Sequence, residues 1–363
     1  MPAPFAYLDY AATAPIDAAA VAAMSDAATR WANPSSVHRA GRAAHAALED
    51  ARESIAAHFA CAASALVFTS GGTEALGLAL CGTSAARILI SAVEHDAVRA
   101  QAAGATVIPV DRDGRIDLDA LATLLAGQPA LVAVMQVNNE TGVLQPLAEV
   151  AALTHAAGGR LLVDAVQGAG KIACPYGDFV AVSAHKLGGP PGVGALIVRC
   201  AEDLVGVQRG GGQERGFRAG TENLPGIAGF AAALAARAED TGWLARTGAL
   251  RDRLETRLLA TGALVNGAGA PRLPTISNIA MPGVAASTQV MAFDLAGFAV
   301  SAGAACSSGK VTASHVLAAM QVAPAIVASS IRISHGWRTT EAEIDGFVAA
   351  WQALRERHVA RAA

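Results

Sequence analysis

Chemistry that needs a lysine amine has only three positions to use in this chain: Lys171, Lys186 and Lys310, set against 24 arginines. Lys186 stands in Ser183-Ala184-His185-Lys186-Leu187-Gly188-Gly189-Pro190, where an apolar run passes into a glycine- and proline-rich loop. A desolvated amine there could form a Schiff base, with Ser183 and His185 as phosphate donors, although a solvated loop lysine has the same local pattern. Lys171 follows Gly168-Ala169-Gly170, but a phosphate-binding P-loop is excluded. Ala165 replaces the first glycine, and Ile172 replaces the hydroxyl that must hold Mg²⁺. Lys310 lies in the small-residue loop after Cys306. Asp164 ends the run Leu161-Leu162-Val163, so its carboxylate needs a partner. That partner could be a protonated pyridoxal ring nitrogen, Mg²⁺ or a helix N-terminus. Ser70-Gly71-Gly72-Thr73-Glu74 opens a helix directly after a strand, which suits either a phosphate or a plain tight turn. Cys306 sits among small residues in Ala302-Gly303-Ala304-Ala305-Cys306-Ser307-Ser308-Gly309, a setting for an accessible nucleophilic thiol or for an incidental one. Arg332, on the short run Ile331-Arg332-Ile333, could clamp a carboxylate or make a structural ion pair.

These residues must be carried on elements that bring them together. Apolar runs at Ala65–Thr69, Arg87–Ser91, Thr106–Val110, Leu131–Val137, Arg160–Val163, Phe179–Ser183 and Gly194–Val198 alternate with helical patterns at Glu74–Leu80, Ala97–Ala103, Leu118–Leu125 and Leu147–Ala157. Continuous apolar strands alternating with helices predict an α/β fold around a mainly parallel seven-stranded sheet flanked by helices. Helices are expected at Asp17–Trp31 and Gly41–Phe59, and across an alanine-rich stretch, Glu222–Leu259. Beyond it, strands near Thr275–Ile279, Val300 and Ile331–Ser334 with helices near Ser287–Leu295, Ser314–Met320 and Glu341–Glu356 predict a smaller α+β domain from about residue 245.

Composition narrows the function classes. The chain of 363 residues is 53% hydrophobic and 16% charged with a formal net charge of −3, and 88 of its residues are alanine. This excludes extended disorder, and no basic tract offers a surface for nucleic acid. No apolar run reaches the length of a membrane span. Asp9 interrupts the N-terminal region where a signal peptide would be apolar, and five scattered cysteines without a C-x-x-C pair argue against a disulfide framework or a zinc site. A cytoplasmic protein with no metal site, no membrane association and no nucleic-acid partner is expected.

Taken in order, the segments resemble the cysteine desulfurases of the NifS/IscS type, within the class-V aminotransferase group. The resemblance is carried by Tyr7-Leu8-Asp9-Tyr10-Ala11-Ala12-Thr13, Asn33-Pro34-Ser35-Ser36, the Ser70–Glu74 loop, Glu94-His95, Asn138-Asn139-Glu140-Thr141-Gly142, the Asp164/Gln167 pair, Ser183–Lys186, Gly210-Gly211-Gly212-Gln213-Glu214-Arg215-Gly216 and the Cys306 loop. It implies the fold of type I pyridoxal-phosphate enzymes, with a large domain over 15–244 and a small domain formed by 1–14 and 245–363. It also implies pyridoxal 5'-phosphate as cofactor, carried as a Schiff base on Lys186. Asp164 would pair with the ring nitrogen, Gln167 with the ring hydroxyl, and His95 with the ring face. Gly72, Thr73, Ser183 and His185 would hold the phosphate, with Thr221 reaching it from the other subunit of a homodimer. Asn139 and Arg332 would position the carboxylate of L-cysteine. Lys186, His95 and Cys306 would be catalytic, with Cys306 taking the sulfur as a persulfide for an acceptor protein such as an iron–sulfur scaffold. On the same scaffold a selenocysteine lyase or an aminotransferase remains open, because neither depends on Cys306. A binding protein that has lost catalysis would be expected to lack Lys186 or Cys306.

Overall fold

The structure is a computed structural model that describes residues 5–303 and 313–362. Seven strands form the central sheet in the order Leu66–Thr69, Gly194–Val198, Phe179–Ser183, Arg160–Asp164, Leu131–Met135, Ile88–Ser91 and Thr106–Ile108. Gly194–Val198 runs antiparallel to both neighbours, and every other pairing is parallel. The strands read as unbroken apolar runs because helices cover both faces. Leu131–Met135, Phe179–Ser183 and Gly194–Val198 are buried at every position.

On one face, Ala18–Ala28 and Arg39–His58 pack against Leu224–Glu239 over a core that includes Leu48, Ile55, Phe68, Val132, Val180 and Phe230. The other face buries Gly72–Gly82 against Val67, Leu162, Ala181 and Leu196. In an open sheet of this kind, ligands collect outside the carboxyl ends of the strands. Because Gly194–Val198 reverses direction, the carboxyl ends of Leu66–Thr69 and Phe179–Ser183 flank its first residue. Thr69 and Ser183 are both registered on Gly194.

A second apolar core lies under a four-stranded antiparallel sheet, ordered Ser301–Ala302, Ser330–Ser334, Ile276–Ala280 and Leu264–Val265. Helices Trp243–Leu259, Ala286–Leu295 and Glu341–Ala362 supply Leu254, Leu258, Phe293, Phe347 and Trp351 to it. The Phe293 and Trp351 rings stack with centroids 5.9 Å apart. The N-terminal segment joins the same core: Ala6–Tyr7 pairs with Phe298–Ala299, and Leu8 is fully buried. The chain then crosses to the central sheet at Ala11 and Ala12.

Several expected elements differ; among them, the strand expected to reach Val137 ends at Met135. The alanine-rich stretch Glu222–Leu259 is two helices, Leu224–Glu239 and Trp243–Leu259, parted at Asp240-Thr241-Gly242, because the first packs on the large core and the second on the small one. The strand near Val300 is also divided: Phe298–Ala299 pairs with the N-terminal strand and Ser301–Ala302 with Ser330–Ser334. The helix expected at Ala97–Ala103 is a single turn, Asp96–Arg99. Val110 leaves its strand and bridges Ile116.

Candidate active site

A cavity of about 490 Å³ opens at the carboxyl edge of the central sheet. It gathers Gly72, Thr73, His95, Asn139, Asp164, Gln167, Ser183, His185, Lys186 and Arg332 from widely separated positions of the sequence. Thr221 is exposed and does not line this cavity. Cys306, with Lys310, lies outside the described residues.

One wall is the start of helix Gly72–Gly82. Its N-cap, Gly71, has no side chain to satisfy the first free backbone N–H groups, so the helix end presents them with a partial positive charge. Gly71 sits at φ +152°, a conformation that L side chains rarely adopt. Its neighbour across the strands is Gly194, where a Cβ would stand 2.5 Å from the Val182 carbonyl and 2.7 Å from Gly71 Cα. Both glycines are needed for the loop to close over Ser183, whose hydroxyl lies 3.7 Å from where a Gly71 Cβ would be. Free N–H groups, a helix end and a serine hydroxyl together form an anion cradle suited to phosphate. Gly194→Ala is therefore expected to displace the Ser70–Gly72 loop and weaken retention of a phosphate-bearing cofactor by about tenfold, the effect of roughly 1–3 kcal/mol of overpacking. Equilibrium dialysis against pyridoxal phosphate reads this directly, and retention equal to the unaltered chain would contradict it.

The floor is made by two adjacent parallel strands. Asp164 ends its strand in register with Ala181, two residues before Ser183. It is 7% exposed, and Oδ1 accepts from the Val166 N–H at 2.9 Å. Burial raises its pKa above the usual carboxylate range, against the opposing pull of that N–H and of His95 and Lys186. A carboxylate so placed gains from a cationic partner inside the cavity. Glu94, one residue before His95, is also buried, and burial with the nearby Asp164 charge pushes its carboxyl well above the usual range. Its Oε1 accepts from the Met135 N–H at 2.7 Å.

His95 is the N-cap of the turn Asp96–Arg99. Its Nδ1 accepts from the Ala97 N–H at 3.0 Å, which leaves the proton of a neutral ring on Nε2. His185 titrates at about 4, held down by burial and by the charges of Lys186 and Lys171, so it is neutral near pH 7. Lys186 is half-buried at the end of a short 3-10 turn that continues the strand Phe179–Ser183. Its Nζ donates to the carbonyls of Ala11 at 2.8 Å and Ala12 at 2.7 Å. Gln167 Nε2 donates to the same Ala11 carbonyl at 2.9 Å.

Arg332 is 2% exposed and reaches the cavity from the small sheet. Nη1 donates to the Asn139 carbonyl at 3.0 Å and Nη2 to Asp9 Oδ1 at 2.8 Å, while Nε has no partner among the described residues. Of the two sequence readings of Arg332, the ion pair is the one seen here. The guanidinium still has N–H donors beyond those two bonds. Asp9 was not among the expected site residues, nor was Lys171, whose Nζ donates to Gln167 Oε1 at 3.3 Å. Asp9 lies inside the N-terminal motif, the one signal that pointed to it.

None of the four described cysteines lines the cavity. Burial pushes the Cys61 and Cys174 thiols up, and burial together with Asp178 takes Cys200 to about 11, which suppresses their thiolates. Cys81 is exposed on the last turn of its helix, away from the cavity.

The residues fit pyridoxal phosphate. They offer an anion cradle at one end, a buried carboxylate for a cationic ring nitrogen beneath, and an amine for an aldehyde between them. The chain is similar to known proteins of that chemistry. The Aminotransferase class-V family profile matches residues 6–347. A cysteine desulfurase of Cereibacter sphaeroides is 42% identical over 361 residues, covering 93% of this chain and 92% of its own. The cysteine desulfurase IscS of Anaeromyxobacter sp. is 39% identical, covering 94% and 90%. The X-ray structure of a NifS-like protein from Rickettsia africae superposes with a TM-score of 0.89 at 33% identity, covering 97% of this chain and 99% of that one.

Proposed function

Because the chain belongs to the aminotransferase class-V family and is a pyridoxal-phosphate-dependent cysteine desulfurase, we propose how its own residues divide the conversion of L-cysteine to L-alanine. The observation that carries the assignment is the convergence of Lys186, Asp164 and the Ser70–Gly72 loop on one cavity. Lys186 is the covalent anchor of the cofactor and, once released, the base that moves the substrate α-proton. Its two backbone acceptors, Ala11 and Ala12, hold the amine at one point in the cavity. When bound, pyridoxal phosphate supplies the electron sink that accepts the pair left at the α-carbon. Asp164 would keep the ring nitrogen cationic, Gln167 would bond the ring hydroxyl, and His95 would lie against the ring. Gly72, Thr73, Ser183 and His185 would hold the phosphate. Arg332 and Asn139 orient the substrate carboxylate, and the Asp9 carboxylate fixes the Arg332 guanidinium.

Cys306 is the sulfur acceptor. Its thiolate attacks the substrate sulfur; an S–S bond forms as the Cβ–S bond breaks, and Cβ takes a proton to become the methyl group of alanine. The described chain on either side supports this reading, since both flanks are tied to residues directly behind those that line the cavity. Ser301 Oγ donates to Asp9 Oδ2, and Ser314 Oγ donates to the buried Glu140 next to Asn139. The persulfide then passes to an acceptor protein, for which an iron–sulfur scaffold is the natural candidate.

The working unit is a homodimer in which Thr221 serves the partner's cavity. Its exposure away from its own cavity supports this, as do Trp31 and Val37, each 87% exposed. The large domain spans 15–244, and 1–14 with 245–363 form the small one. The compartment is the cytoplasm, where a reactive thiol stays reduced. No helix among the described residues is long and apolar enough to cross a membrane.

Borohydride reduction of the cofactor-loaded protein followed by peptide mass spectrometry tests the anchor. A pyridoxyl adduct on Lys186 is expected. An adduct on Lys171 or Lys310 instead would overturn the assignment.

A further inference from the structure

Lys171 is the one described lysine the reaction leaves without a role, yet it touches Gln167 of the cavity floor. It ends the tight turn that follows Asp164, where the Lys171 and Ile172 N–H groups both return to the Gly168 carbonyl. Gly170, at φ +69°, lets this turn pack directly beneath Leu187, the residue after Lys186. From there Nζ donates to Gln167 Oε1 at 3.3 Å, and Gln167 turns its Nε2 to the Ala11 carbonyl that also accepts from Lys186.

This arrangement has a chemical consequence. An ammonium group offers donors only, so a glutamine bonded to it must present its oxygen to the lysine and its NH₂ to the other side. The amide is thereby fixed in one of its two orientations. A cation beside a second amine also makes protonation of that amine less favourable. We propose that Lys171 is a positioning residue: it locks the Gln167 amide with its NH₂ group toward the cavity and, as a cation, favours the neutral form of the Lys186 nitrogen. This rests on the reading of Lys186 as the cofactor anchor. A neutral Lys186 nitrogen is the form that attacks a carbonyl and that accepts a proton.

The charged groups that set this balance are few. Asp164 favours the cationic form of Lys186, while His185 is neutral near pH 7. His95 lies near Asp164, and Arg332 adds positive charge on the side of Lys171. Burial and then the Lys186 and Arg332 charges lower Lys171 to about 7; the coupling is reciprocal, so the two amines compete for one charge and Lys171 holds its proton when the Lys186 nitrogen is neutral.

The test is a pH titration of the visible absorption band of the cofactor-loaded protein, in the unaltered chain and in K171M, K171Q and K171R. Removing the neighbouring cation should raise the titration midpoint by about one pH unit in both K171M and K171Q, the size expected of a unit charge acting across an intervening side chain in a partly buried site. K171R, which keeps the cation, should stay within a few tenths of a unit of the parent. K171Q serves if the methionine variant does not fold. A midpoint unchanged in the neutral variants, or raised equally in K171R, overturns the role of Lys171. An unaltered chain with no titrating band would instead remove the Lys186 reading beneath it, so the two failures are distinguishable.

Discussion

Lys186→Ala is expected to abolish covalent attachment of the cofactor and to lower the rate of alanine formation from L-cysteine by about 10³-fold or more. Lys186 combines two tasks, and losing it removes both the anchor and the proton carrier; each such group contributes about 10²–10⁴-fold in enzymes generally. No other described amine can substitute. Lys171 already donates to Gln167 and is not among the residues that line the cavity. The variant should still fold. Lys186 is half-buried, and the strand that leads to it is held by Val180, Ala181 and Val182 in the two sheet faces. It should also bind the cofactor without covalent attachment, through the helix end at Gly72 and through Asp164. Borohydride trapping and an alanine assay check both parts. A variant that retains the covalent adduct, or more than about a tenth of the rate, contradicts the assignment.

Cys306→Ala should leave the cofactor band unchanged while desulfuration of L-cysteine falls by about 10²–10³-fold, the usual size for loss of a nucleophile whose remaining site is intact. The two losses differ in kind. Lys186 is needed for every reaction the cofactor supports, whereas Cys306 is needed only where sulfur must be carried away on the protein. This variant therefore separates a desulfurase from the other reactions of the same scaffold. A selenocysteine lyase or an aminotransferase would keep most of its activity without this thiol. The four described cysteines cannot replace it, because none lines the cavity and burial suppresses the thiolates of Cys61, Cys174 and Cys200. Alanine release and protein-bound persulfide, measured on the same sample, check the prediction. Near-normal formation of both in Cys306→Ala would remove its role.

The strands and the residues at their ends are legible in the sequence because a sheet covered on both faces leaves no polar alternation to confuse the pattern. Asp164 and Ser183 stand out as polar groups ending apolar runs, and the Ser70–Glu74 loop as glycines at a strand–helix junction. The order of the strands is not legible. Gly194–Val198 lies between Leu66–Thr69 and Phe179–Ser183, and that long-range pairing brings the loop over Ser183. No local propensity encodes it. The helix break at Asp240–Gly242 is hidden for a similar reason: alanine-rich sequence favours helix throughout, and the break follows from which core each half joins. Asp9 pairs with Arg332 across 323 residues, a separation at which sequence spacing carries no information. Lys171 is visible as a lysine, but the failed P-loop pattern only removes one role from it. Its contact with Gln167 depends on a turn folded beneath Leu187.

The most direct measurement is to supply L-cysteine to the purified, cofactor-loaded protein without reductant and to quantify alanine and protein persulfide in the first turnover. The expected result is one alanine per active chain, matched by one persulfide located by mass spectrometry on Cys306. Pyruvate and free sulfide in place of alanine, or alanine with no persulfide on Cys306, would contradict it.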